Sequence, residues 1–172
     1  VGSAVHGVLQ DINFDDRSNI GDLVHQAAEA YAIPELEDDI AQLVSNVLDS
    51  PTVAAATSSN SWSEAWIAAE VEEGIEIEGS VDLMIQHDDK SITIIDYKTD
   101  RVIGTLLEER ARGYENQLAG YALVLEKQGM NVRDAILVFA NGGENGGAKE
   151  YVVADLSSAK TAALAEIKSK IQ

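Results

Sequence analysis

The chain has no cysteine in its 172 residues. That excludes a disulfide framework, a cysteine nucleophile, a thiolate zinc site and an iron–sulfur cluster. It also lacks any run of about 18 apolar residues, so no segment reads as a membrane-spanning helix. No charged-then-apolar secretory pattern opens the chain, and the expected location is the cytoplasm. A start methionine is missing too: Val1 leads straight into a motif. This predicts a domain excised from a longer polypeptide. Cations are scarce, with Lys+Arg 12 against Asp+Glu 30 and a net charge of −18. Such a balance argues against a free-standing nucleic-acid binder, whose affinity comes from cations that displace counterions on phosphate. Only two prolines occur. Pro34 separates two helical stretches and Pro51 closes the second.

What is present fits one α/β domain. Hydrophobic residues make up 45% of the chain, enough for an ordinary core. GSAVHGVL opens it, with Ser3 as a predicted cap for a helix that carries His6 and Leu9. The stretch Asp11–Asp22 imitates the start of an EF-hand loop, then fails: Asp16 stands where glycine is needed and Asp22 where a longer glutamate is expected. It reads as a polar interhelical loop. Amphipathic helices are predicted over Ile20–Tyr31 and Glu35–Leu48, the second with an acidic first turn that suits the helix dipole. A meander follows, with strands over Ala65–Val71 and Ile75–Met84. Trp62 and Trp66 are expected to pack.

The stretch Glu78–Asp100, EGSVDLMIQHDDKSITIIDYKTD, organises the rest. It reads as two strands joined by the polar turn His87–Lys90. Side chains alternate along a strand, so Asp96 and Lys98 point one way and Tyr97 the other. Ile92, Ile94 and Ile95 occupy both faces, the pattern of a strand buried on both sides. A carboxylate and an ammonium at the end of such a strand need partners. A divalent metal held by Asp82 and Asp96, with Lys98 beside it, would supply them. Beyond it, the stretch Thr99–Arg112 opens with the polar, basic TDRV. An amphipathic helix is predicted over Gly113–Lys127, with Gln117 and Tyr121 on one face and Tyr114 a turn earlier. Strands over Val132–Ala140 and the AKEYVVADL segment, joined by a glycine-rich turn, and a helix over Asp155–Ile171 close the domain.

GSVDLMI and IIDYKTD together resemble the core motif of the PD-(D/E)XK nucleases. They resemble most the RecB-type nuclease domain at the C-terminal end of UvrD/RecB/AddA-like helicases. Two further motifs stand in the family's order. Gly2, Ser3, His6 and Leu9 match G-[ST]-x-x-H-x-x-L, and Gln117 and Tyr121 match Q-x-x-x-Y. The resemblance implies a restriction-endonuclease-like α/β core: a mixed central sheet of about five strands flanked by helices. A single domain is expected over 1–172, with a mainly helical portion over 1–50 and the sheet core over 62–172. It implies Asp82, Asp96 and Lys98 as catalytic residues. His6, Asp82, Asp96 and the backbone carbonyl of Tyr97 become ligands for Mg²⁺ or Mn²⁺. Gln117, Tyr121, Tyr114 and Arg101 are implied as DNA contacts. Glu64 sits where the family often has a glutamate before its first strand, either beside the metal or on the surface. Some relatives carry a four-cysteine cluster, which this chain cannot hold.

The implied function is a Mg/Mn-dependent deoxyribonuclease, the exonuclease module of a DNA-repair or recombination helicase. Its implied partners are single-stranded DNA, the helicase domains that deliver it, and a second nuclease–helicase subunit. Tethering to a motor supplies effective concentration, which answers the net charge. Lys98, Arg101, Arg110 and Arg112 also gather the scarce cations in one window. Two other readings remain. One is a non-catalytic DNA-binding or interaction module on the same scaffold, which the charge supports. The other is an unrelated acidic α/β protein whose DYK is a strand-end ion pair; it leaves His6, Gln117 and Tyr121 unexplained.

Overall fold

The segments with period-two alternation assemble into a single sheet. The computed structural model describes residues 1–171, so the last residue of the expected 1–172 domain lies outside the described residues. The strands are β1 (Ser61–Glu72), β2 (Ile75–Gln86), β3 (Ile92–Lys98), β4 (Val132–Phe139) and β5 (Lys149–Val152). They form a five-stranded sheet in the order β1-β2-β3-β4-β5. Pairing is antiparallel except between β3 and β4, which run parallel. A parallel pair needs a crossover, and here α4 (Thr105–Arg112) and α5 (Glu115–Lys127) provide it. The expected mixed sheet flanked by helices is what forms.

Each face of the sheet buries its own core. On one face, α5 and α6 (Leu156–Ile171) cover Ile67, Val81, Ile94, Leu137 and Phe139. On the other, α1 (Gly2–Asp11), α2 (Ile20–Ala30) and α3 (Glu37–Leu48) cover Leu83, Ile85, Ile95, Tyr97 and Val138. Strand β3 feeds both cores by alternation: Ile94 faces one, Ile95 the other. Its isoleucines are at most 3% exposed.

The sheet forks. Strands β2 and β3 pair only from Leu83↔Ile95 to Gln86↔Ile92. Asp82 and Asp96 are the next residues on each side, and there the strands part. β2 continues with β1 alone as a long hairpin, paired from Ser61↔Ile85 to Glu72↔Ile75. The ladder skips Glu64, whose φ is +48°, in the left-handed region unusual for a residue with a side chain. α5 covers one side of the hairpin so closely that a Cβ added to Gly79 would lie 2.6 Å from Tyr121 Cε1. Gly2 allows a similar approach at the base of β3, where an added Cβ would meet Thr99 Oγ1 at 2.9 Å.

The structure corrects several expectations. Ser3 does not cap α1: Val1 holds the N-cap position, with no side-chain cap bond, and Ser3 lies inside the first turn. Trp62 and Trp66 do not pack; they are 46% and 67% exposed. The TDRV stretch is irregular, and α4, for which no helix was expected, fills the second half of Thr99–Arg112. The EF-hand look-alike uses its own oxygens as a clasp. Asn13 Oδ1 accepts from the Asp15 N–H at 2.9 Å and from Ser58 Oγ at 2.8 Å, and Asp15 accepts from the Ser58 N–H at 3.2 Å.

Candidate active site at the fork of the sheet

Where two strands part, backbone groups lose their ladder partners and must find others. Tyr97 is that residue on β3. Its N–H donates to Asp82 Oδ2 at 2.7 Å. Its carbonyl oxygen lies 3.1 Å from His6 Nε2. A carbonyl can only accept, so Nε2 carries the proton. A carboxylate from β2 and an imidazole from α1 thus take the place of a missing strand, and the fork draws three distant segments together.

His6 Nδ1 faces Asp82 Oδ1 at 3.5 Å. The Asp82 carboxylate holds the His6 pKa above its usual value, with burial pulling the other way. The His6 and Tyr97 rings meet edge-on, with centroids 5.9 Å apart. Glu64 stands beside them on β1, with Oε2 accepting from Ser80 Oγ at 2.7 Å. His6, Glu64 and Asp82 each offer a ligand atom, all within 4.8 Å of one another.

Asp96 lies outside that triplet, paired instead with Lys98. It is 4% exposed. Its Oδ2 is 2.6 Å from Lys98 Nζ, a close ion pair without the alignment of a hydrogen bond, and it has no other partner. Burial pushes the Asp96 pKa up to about 6, and the charge of Asp82 adds to the rise; Lys98 and then His6 oppose it. Lys98 Nζ also lies 3.9 Å from the centre of the Tyr114 ring. On α5, Gln117 Nε2 donates to Tyr121 Oη at 2.9 Å. Burial holds the Tyr121 pKa above its usual value. Arg101 is exposed on the loop that leaves β3.

This donor set fits a divalent cation. It offers hard carboxylate oxygens and one imidazole, and a buried carboxylate oxygen whose charge is only partly answered. His6, Asp82 and Asp96 were singled out by their motifs. Glu64 was placed there by resemblance alone, and its left-handed backbone explains how an edge-strand residue turns into the cluster. Gly79, Ser80 and Asp100 escaped attention. Small residues just before Asp82 were the only signal for the first two.

A family model described as the PD-(D/E)XK nuclease superfamily matches residues 1–171. The chain belongs to this superfamily. Superfamily nucleases depend on divalent metal, in line with the donor set at the fork. A relative is an ATP-dependent helicase/nuclease subunit of Carboxydothermus hydrogenoformans (strain ATCC BAA-161 / DSM 6008 / Z-2901), 40% identical over 70 residues. That match covers 40% of this chain and 6% of the relative, so the chain spans a small part of the longer protein. Among solved structures, that of SSO0001 is similar at a TM-score of 0.47 and 19% identity, over 99% of this chain and 74% of the other. Among the described residues, no helix is long and apolar enough to cross a membrane.

Proposed function

We propose that this domain hydrolyses phosphodiester bonds of DNA with Mg²⁺ or Mn²⁺ as cofactor. In this reading it is the exonuclease module of a repair or recombination helicase. The observation that carries the reading is the fork: Asp82, Asp96, Lys98 and His6 converge where β2 and β3 separate. His6, Asp82, Asp96 and the Tyr97 carbonyl would hold the metal, with Glu64 alongside. The ion supplies positive charge against the scissile phosphate and makes a neighbouring water more acidic.

The chain's own groups do the rest. Lys98 presents its ammonium to the negative charge that develops on phosphate, and Asp96 orients it through their close pair. Attack by water forms a new P–O bond as the ester P–O bond breaks, and the water's proton departs to solvent or to the leaving oxygen. Gln117, Tyr121 and Arg101 hold the phosphates on either side. Two α5 residues already joined by a hydrogen bond form a preset donor pair for one backbone phosphate. The match to a helicase/nuclease subunit supports linked helicase domains; in this reading they deliver single-stranded DNA, beside a second nuclease–helicase subunit, in the cytoplasm. The polypeptide's tether makes up for its net charge of −18.

That charge favours a second reading, a non-catalytic DNA-binding or interaction module. One assay separates them: cleavage of labelled single-stranded DNA with Mg²⁺ or Mn²⁺, wild type beside Asp96→Ala and Lys98→Ala. Metal-dependent cutting lost in both variants is expected. No cutting by the wild type, together with no divalent binding by calorimetry, would sink the catalytic reading.

A further inference from the structure

A lysine side chain is a point charge on a long flexible stem, and nothing in its own chemistry fixes its direction. Lys98 therefore needs more than Asp96 to aim it. Tyr114 is half-buried at the N-terminal end of α5, and several contacts converge on it. The Lys98 ammonium sits 3.9 Å from the centre of its ring, within the range where the ring's negative face attracts a cation. The Arg110 guanidinium lies 5.5 Å from the same ring. The Tyr114 hydroxyl donates to Asp100 Oδ2 at 3.2 Å, and Arg110 Nε donates to that same oxygen at 3.1 Å. The Tyr114 carbonyl accepts the Gln117 N–H at 3.1 Å, so the ring is tied to the first turn of α5.

These contacts leave Tyr114 little to offer DNA, the role the resemblance implied. Its ring holds an ammonium and its hydroxyl is engaged. We propose that Tyr114 is a positioning residue for Lys98. Its ring and the Asp96 carboxylate hold the ammonium between them, and the Asp100–Arg110 pair locks the ring in place. The proposal rests on the nuclease reading above. It assigns Asp100 a task too: a carboxylate just past the catalytic lysine anchors the device that aims it.

The first measurement needs neither metal nor DNA. Protons on the Lys98 ε-carbon, held near an aromatic ring, resonate upfield, and the signal is assigned by its loss in Lys98→Ala. The shift is expected in wild type and Tyr114→Phe and absent in Tyr114→Leu; its absence from wild type overturns the proposal. The second measurement is cleavage of single-stranded DNA with Mn²⁺. Tyr114→Leu is expected to lower kcat by up to about a hundredfold, with KM little changed. Tyr114→Phe is expected to recover most of that loss, because it keeps the ring. Combined with Lys98→Ala, Tyr114→Leu is expected to add no further loss. A rise in KM with kcat unchanged, or losses that multiply in the double variant, overturns the positioning role and returns Tyr114 to the DNA contacts. If Tyr114→Leu does not fold, Asp100→Asn takes its place: a broadened Lys98 signal and a severalfold lower kcat are expected, and unchanged values overturn the proposal. A wild-type chain that neither cuts nor binds a divalent cation overturns the nuclease reading and this role together. A cutting chain with unaltered kcat in Tyr114→Leu overturns this role alone.

Discussion

The two ends of the β2–β3 pair make opposite use of the same strands. From Leu83 to Gln86 against Ile92 to Ile95, backbone pairs with backbone and the side chains are apolar except for Gln86 and Thr93. One residue further, the ladder stops, and a carboxylate and an imidazole take over its hydrogen bonds. The paired end is satisfied and inert. The forked end keeps a carboxylate buried beside a second carboxylate, an arrangement that opposes folding and suits cation binding. In the proposed reading, stability and chemistry are separated by a single step along the strands.

Asp82→Ala should break the forked end most severely. Cleavage is expected to fall on the order of a thousandfold in a DNA-cutting assay. The Tyr97 N–H would also lose its acceptor, so chemical denaturation should show about 1–3 kcal/mol of lost stability. Ile94→Ala attacks the paired end instead. It removes a fully buried side chain, and denaturation is expected to show a loss of about 2–5 kcal/mol. Divalent-metal affinity of the folded fraction, read by calorimetry, should stay where it was; a weakened affinity would show that the two ends are not independent.

Asp96→Asn sharpens the contrast by making function and stability diverge. The folded protein holds the Asp96 proton up to a pKa of about 6, against a usual value of 3.8. Between those values the folded state binds more protons than the unfolded one, so this group makes stability fall as pH rises. Below about pH 4 both states are protonated and the difference vanishes. The neutral amide should therefore stabilise metal-free protein by about 3 kcal/mol above pH 7 and by nothing at pH 3.5, while cleavage is lost. Equal melting temperatures at pH 8 would refute the idea that the fork is kept under electrostatic load. The smallest expected effect belongs to Gly79→Ala. Crowding against Tyr121 Cε1 should destabilise by about 1–3 kcal/mol, and it should raise KM for DNA by moving the Gln117–Tyr121 pair.

Legibility followed the same division. Strand β3 could be read from residues alone, because isoleucines on both faces leave a strand no other place than the centre of a sheet. Asp96 and Lys98 followed from alternation. His6 could not be placed by local pattern: an imidazole on a short helix becomes a site residue only once β3 needs a donor for the Tyr97 carbonyl, and only its motif pointed there. The tryptophans misled for a physical reason. Trp66 lies opposite Ser80, on the side of the hairpin away from α5, while its neighbour Ile67 fills the core. Alternation says that the two faces differ, not which of them is covered. Helix α4 was missed because its charged residues, Glu108, Glu109, Arg110 and Arg112, read as a solvated loop.

The hydrogen bond from the Tyr97 amide to the Asp82 carboxylate has a practical consequence. One backbone proton sits at the seam between scaffold and chemistry, bonded to a charge rather than to a neighbouring strand. Its resonance frequency and its exchange with solvent register whether that carboxylate is free, protonated or shared with a cation. The molecule thus carries a native probe at its own centre, readable without a dye, a substrate or a substitution.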